Sequence, residues 1–471
     1  MKILIKNGTV ITAEVTRKAD ILVEDEIIRR IDDNIEHPEA EIVDAEGLLV
    51  LPGGVDPHVH LDLPMIDTIS SDDHYTGGKA AAFGGTTTMI DFVSQEPVSL
   101  ADNIARHRAM ADPKASIDYS FHMNITHFDD QVAEELPDLP HLGVTSMKVF
   151  TAYNGRLRLD DGSIFKVMRI GGKNNLLTMV HAENGDVIDI LVAEALAIGK
   201  TKPIHHALTR PAWGEVEASL RAAALAAQAD SPLYLVHMNV SGEVDQLAYA
   251  RKHGIPAMGE TCPQYLFFTE EDLKRPDGAK WICSPPMRKA DDQQRLWNGL
   301  ENGTIQVLAT DHCPFFFNGK KPIMYEGKEV AIPGKELGAN NFTLIPNGLP
   351  GLADRLPVFW THAVNTGRIS PNRFVELTAT NPARIFGLYP KKGTLAVGSD
   401  GDIALWDPKM ELDYGLAWAH HRTDYSLYEG WKLRGYPVKV FLRGKMIVDK
   451  QNWYGRAGGG RFVHRQAGEI L

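Results

Sequence analysis

Between about residue 50 and residue 315 the chain alternates short apolar runs with longer, alanine-rich stretches, and this alternation limits the fold more than any other feature. Runs rich in Val, Ile and aromatic residues read as strands, and stretches such as LRAAALAAQA (220–229) read as helices. The runs fall at 55–60, 87–92, 118–125, 143–151, 176–182, 232–239, 255–260 and 305–311. Eight strands with helices between them predict an α/β fold, a parallel (β/α)8 TIM-type barrel. Outside this region the texture changes. ILIKNGTVIT places Asn-Gly between two apolar runs, which predicts a hairpin. From Gly393 the chain reads as strands again (GTLAVGSDGDIALWD, YPVKVFLRGKMIVDK). The expected organisation is a small β-sandwich domain built from 1–50 plus 391–471, flanking a catalytic barrel over 51–390.

The net charge of −12, with no dense Lys/Arg run, argues against nucleic acid or an anionic membrane as partner. The longest apolar runs are far short of the ~20 residues a membrane span needs. A small molecule is the expected partner. Cys262, Cys283 and Cys313 form neither a disulfide framework nor a CxxC motif, and MKILIKNGTV lacks the apolar segment of a secretory signal, so a cytoplasmic location is expected.

Polar residues gather at the strand ends. DPHVH closes the first strand with His58 and His60, and a spacing of two puts both imidazoles on one face. His181 closes the fifth strand (MVHAEN), His237 the sixth (YLVHMN) and Asp311 the eighth (LATDHCP). Singly, each is more simply a hydrogen-bonded structural residue or a cap. Together they occupy the same relative place in several strands, the end at which barrel active sites form. Four His and one Asp suit a pair of borderline divalent ions, Zn²⁺ first and Mn²⁺ second. His122, His127, His205, His206 and His312 are read as structural or supporting.

Lys148 lies in the middle of the fourth run, SMKVF, where an unpaired ammonium is costly. Three readings compete. It pairs with a buried carboxylate; it forms a Schiff base with a carbonyl substrate; or its amine takes up CO₂ and becomes a carbamate, an anion that bridges two metals. Metal-rich surroundings favour the carbamate.

With IKNGTVIT, PGGVDPHVHLD, GGTTTMIDF, DYSFHM, SMKVFTAY, VHAEN, ETCPQYL, SPPMR, ATDHCPF and IPNGLPG in this order, nearly the whole chain resembles the amidohydrolase superfamily. It is most similar to the cyclic-amidase branch of D-hydantoinases and dihydropyrimidinases. The resemblance implies that His58, His60, Lys148 and Asp311 hold one metal, and that N6-carboxylated Lys148, His181 and His237 hold the other. A bridging hydroxide would attack the ring carbonyl, with Asp311 as general base and then acid. Tyr153 would donate to the developing oxyanion, and backbone groups of Ser284 and Asn347 would grip the imide edge. Met65, Phe150 and Leu157 would surround the ring substituent. The products would be N-carbamoyl amino acids and the assembly a homotetramer.

Related branches are weighed on single positions. Dihydroorotases carry an arginine two residues after HxH, where this chain has Asp62, so a carboxylated ring is not expected. The alternatives are an allantoinase-like or other cyclic amidase, or a non-catalytic dihydropyrimidinase-like scaffold; all six ligand positions are present here, which favours activity. Two features stand out: a long segment between Pro314 and Asn347, expected to cover or reshape the mouth, and a loop carrying Arg156 and Arg158, either solvated charges or a bias toward polar or acidic substituents.

Overall fold

The computed structural model describes residues 2–65 and 67–471. At its centre are eight parallel strands: β1 (Gly54–Val59), β2 (Thr86–Val93), β3 (Asp118–Asn124), β4 (Ser146–Phe150), β5 (Leu177–His181), β6 (Leu233–Leu235), β7 (Ala257–Thr261) and β8 (Val307–Leu308). They pair in sequence order. Val59 forms a parallel bridge to His312 just beyond β8, so the sheet curls back on itself, consistent with a TIM-type barrel. All eight strands are buried along their whole length, which is why they read as continuous apolar runs rather than alternating ones.

The crossover helices start where the sequence supplies a cap. Asp160 accepts from the Ser163 N–H to open Asp161–Lys173, and Asn184 accepts from the Val187 N–H to open Gly185–Ala197. The alanine-rich helix Ala212–Ala229 turns Ala218, Ala222, Ala223, Ala226 and Ala229 inward, small side chains at helical spacing that allow close approach to the barrel wall. Inside the barrel, the floor is apolar. Phe92, Met179, Tyr234 and Met258 pack against Phe386 and Leu388 of the segment that follows the helix Asn381–Ile385. Water is thereby kept from the underside of whatever sits at the mouth.

Several strands are shorter than the sequence pattern predicts, β6 and β8 most of all. β6 and β8 stop before His237 and Asp311, which adopt left-handed backbone angles (φ 39° and 54°) instead of continuing the ladder. The Asn-Gly hairpin expected at residues 7–8 does not form. Lys2–Lys6 pairs with Asp20–Glu24 and Glu41–Asp44 in a four-stranded sheet, whereas Thr9–Ile11 pairs with Thr16–Lys18 and Leu49–Pro52 in a seven-stranded one. Asn7 (φ 64°) turns the chain between the two sheets, and Gly8 passes so close to Val50 that a Cβ there would lie 2.3 Å from it. The seven-stranded sheet continues through Ile403–Tyr414 and Trp431–Leu442, so both ends of the chain contribute to it. One apolar cluster, including Ile5, Ile21, Val50, Ile403 and Phe441, draws on both sheets.

The terminal strands are tied to the barrel by buried charge. Lys392 Nζ lies 2.8 Å from carboxylate oxygens of both Asp400 and Asp402 and also pairs with Asp118, the first residue of β3. Arg443 pairs with the same Asp118. Burial opposes the Lys392 charge, but the three carboxylates override it and hold the amine above its ordinary pKa. The acidic trio is therefore filled by an ammonium. Replacing Lys392 with Met removes the buried ammonium that three carboxylates share, leaving Asp402 without its cation while Asp118 keeps Arg443 and Asp400 keeps Lys391, and a loss of about 3–5 kcal/mol is expected. A urea unfolding curve of Lys392→Met against wild type checks it.

Candidate active site and metal centre

The mouth of the barrel holds a cavity of about 190 Å³ whose wall includes His60, Lys148, Tyr153, His181, His237 and Asp311. His58 lies directly behind it, fully buried. The six residues predicted as metal ligands thus converge. Lys148 Nζ is 3.0 Å from His58 Nε2; Asp311 Oδ1 is 3.2 Å from His58 Nε2 and 3.3 Å from His60 Nε2. His58, His60 and Asp311 each offer a donor atom, all within 4.8 Å of one another. On the other side, His181 Nδ1 faces His237 Nε2 at 3.0 Å.

The proton positions fit metal binding. Burial raises the Glu260 carboxyl to about 8; in its ionised form it sits against Nδ1 of His58, placing the proton there and leaving Nε2 as a lone pair directed at Lys148 and Asp311. Glu183 Oε2 lies 2.7 Å from His181 Nε2, which leaves Nδ1 as the lone pair facing His237. Nδ1 of His237 is buried without a hydrogen-bond partner among the described residues. Burial lowers the pKa of all four imidazoles, so they are neutral at pH 7, the form a cation requires. Burial pushes the Asp311 carboxyl up, and positive charge on His58 or His237 and the hydrogen bond from His60 pull it the other way, below the usual carboxylate range; when those rings are neutral, the bond from His60 remains.

Three of these residues stand on unusual backbone. Tyr153 (φ 67°), His237 and Asp311 all occupy the left-handed region, at a cost of about 1–3 kcal/mol each. The turns aim side chains into the mouth that a continuing strand would send elsewhere.

The other predicted residues also line the cavity: Ser284, Asn347, Met65, Phe150 and Leu157. Asn347 Nδ2 donates to Ser284 Oγ at 3.1 Å, which joins the two segments predicted to face the substrate. Burial, then the nearby Glu183, raises the Tyr153 pKa and keeps its hydroxyl a proton donor. Asp62 is turned away to Lys114 at 3.0 Å and is not in the wall.

The amidohydrolase family profile matches residues 49–447. The chain belongs to the amidohydrolase family. A D-hydantoinase of Rhizobium radiobacter is 44% identical over 469 residues, 99% of each chain, and one of Ralstonia pickettii is equally similar over the same share. The solved structure of a dihydropyrimidinase from Brevibacillus agri matches with a TM-score of 0.96, at 44% identity over 100% of both chains.

Sequence reasoning passed over the groups that hold this amidohydrolase site in shape. Glu183 and Glu260 stand in the quoted motifs VHAEN and ETCPQYL; Glu183, two residues past His181, had that neighbour as its signal, whereas Glu260, inside β7 with no histidine near it in sequence, had no such signal. Arg210, which donates to both Glu183 oxygens at 2.9 and 2.8 Å, carried none. Lys335 comes from the long segment 314–347. Its buried amine donates to Ile282 O at 2.9 Å and Pro346 O at 3.1 Å, clamping the stretches that carry Ser284 and Asn347. The segment also forms a hairpin, Lys321–Tyr325 with Lys328–Ile332, packed on Ile69. No hairpin residue lines the cavity, so the expected cover over the mouth is indirect: the hairpin backs the stretch that carries Pro64 and Met65.

Replacing Glu183 with Gln removes the charge that fixes the His181 proton. Metal affinity should fall about 10–100-fold, read by zinc content after dialysis against buffered free zinc.

Proposed function

We propose that this amidohydrolase opens the cyclic amide bond of hydantoins and dihydropyrimidines, giving N-carbamoyl amino acids. The observation that carries the reading is one site bringing together the donors His58, His60 and Asp311, the facing pair His181 and His237, and a buried tyrosine hydroxyl. Full-length similarity to proteins named D-hydantoinase and dihydropyrimidinase supports the same substrate class.

His58, His60, Lys148 and Asp311 would hold one divalent ion; Lys148, as its carbamate, would share the second with His181 and His237. When bound, such ions supply Lewis acidity and make water a usable nucleophile near neutral pH. The remaining steps belong to the chain. Asp311 is ionised and takes the proton of the attacking water, then gives it to the ring nitrogen as the C–N bond breaks. Tyr153 stays protonated and donates to the oxygen on which charge develops. Main-chain groups of Ser284 and Asn347, held in register by Lys335, orient the imide edge. The apolar wall of Met65, Phe150 and Leu157 receives the ring substituent. The barrel, 51–390, carries this chemistry, and segments 1–50 and 391–471 form one small β-sandwich domain beside it. A cytoplasmic homotetramer with two Zn²⁺ per chain completes the proposal.

Metal-loaded protein should convert hydantoin to N-carbamoylglycine and dihydrouracil to N-carbamoyl-β-alanine, and chelation should abolish both; inertness toward every cyclic amide would leave only a scaffold. Tyr153→Phe should lower kcat about 10²–10³-fold, and Asp311→Asn about 10²–10⁴-fold, both measured on metal-replete protein. Lys148→Ala should be inactive and partly rescued by short-chain carboxylates. Full activity of the alanine variant would remove the bridging role.

A further inference from the structure

Two arginines stand in the turn between Tyr153 and the helix Asp161–Lys173, and their surroundings differ. The Arg158 guanidinium donates to Asn154 Oδ1 at 2.8 Å and pairs with Asp186. Arg156 is exposed and makes no side-chain hydrogen bond or ion pair among the described residues. It nevertheless lines the catalytic cavity, and its main-chain N–H donates to Tyr153 O at 3.1 Å, so its place is tied to that of Tyr153. The wall carries the apolar Leu63, Pro64, Met65, Phe150 and Leu157, with Ser94, Asn124, Ser284 and Asn347 among its polar members. The other charged groups of the wall, Lys148 and Asp311, face the metal-donor cluster.

A cavity with an apolar part to its wall, a reactive centre and one exposed, uncommitted guanidinium has a complement: an apolar stem ending in an anion. Guanidinium matches carboxylate geometry with two parallel N–H···O bonds. The chain as a whole carries a charge of −12, so long-range attraction does not favour an anionic substrate and selection must come from a local contact. We infer that the preferred ring substituent ends in a carboxylate and that Arg156 binds it.

Resting on the ring-opening reading above, this names the substrate class: hydantoins with a carboxyalkyl arm on the ring carbon. Water adds to the ring carbonyl carbon, the C–N bond breaks, the nitrogen takes a proton and a second carboxylate appears. The product is the N-carbamoyl derivative of an acidic amino acid.

The test compares 5-(2-carboxyethyl)hydantoin with its neutral isostere, 5-(2-carbamoylethyl)hydantoin, on metal-loaded wild type, Arg156→Gln and Arg156→Glu. In wild type at low salt, kcat/KM for the acid should exceed that for the amide by about tenfold, carried mainly by KM. The ratio should shrink at about 0.5 M NaCl, where surface charge is screened, approach one in Arg156→Gln and fall below one in Arg156→Glu. A wild-type ratio of one or less, or a ratio unchanged in Arg156→Gln, overturns the inference. If unsubstituted hydantoin is opened while the ratio is one, only the role of Arg156 fails; if no hydantoin is opened, the ring-opening reading fails and this inference with it. Arg156 is exposed, and a melting curve of each variant verifies its folding.

Discussion

Two buried carboxylates, each set against one imidazole, govern the arrangement at the barrel mouth. Glu260 fixes the proton of His58 and Glu183 that of His181, so each ring turns a lone pair inward. A buried carboxylate has to be satisfied in its turn. Glu260 accepts from Tyr234 Oη at 2.9 Å and from the His237 main-chain N–H at 3.2 Å; Glu183 accepts two bonds from Arg210. The chain of dependence runs outward from metal donor to carboxylate to barrel wall. A change at Arg210 or Tyr234 would reach the site without touching it.

Such a polar mouth is tolerated because the surrounding frame is rigid and dry beneath. The apolar floor around Phe386 excludes water, and the Lys392 cluster ties the start of β3 to the terminal strands. The backbone cost at Tyr153, His237 and Asp311 is a few kcal/mol in sum, small beside the burial of eight fully covered strands. Function is placed where the ladder ends and the frame can hold a residue in a conformation it would not choose alone.

The barrel was legible because its strands are buried on both faces and its ligands recur at one relative position. His58, His60, His181, His237 and Asp311 could be read from that recurrence alone. What could not be read depends on partners distant in sequence. Glu260 and His58 are 202 residues apart, and Lys335 meets Ile282 across 53; no local pattern encodes such pairs. Asn7-Gly8 shows the opposite error. Its local chemistry fits a hairpin, but each flanking run finds a better partner elsewhere, and the same left-handed turn serves to pass between sheets. The short β6 and β8 have a similar cause, since periodicity locates the apolar run but not the residue at which the backbone leaves the ladder.

Lys148 is where these constraints meet. Its amine lies over the Phe92 ring at 4.4 Å and beside His58, deep in the wall. Burial brings its pKa from an ordinary 10.5 down to about 8, against the pull of Asp311 and Glu260. At pH 7 roughly a tenth of the amine is then neutral, against under a thousandth for an exposed lysine. The neutral form is the one that can attack CO₂, releasing a proton and leaving a carbamate. An ammonium would oppose the two dications of the proposed site, whereas a carbamate would complement them. Burial therefore both disfavours the cation and raises the population of its precursor, and on the proposed reading the metals complete the change of sign. The same desolvation that makes Lys148 awkward as an amine would suit it as an anionic bridge.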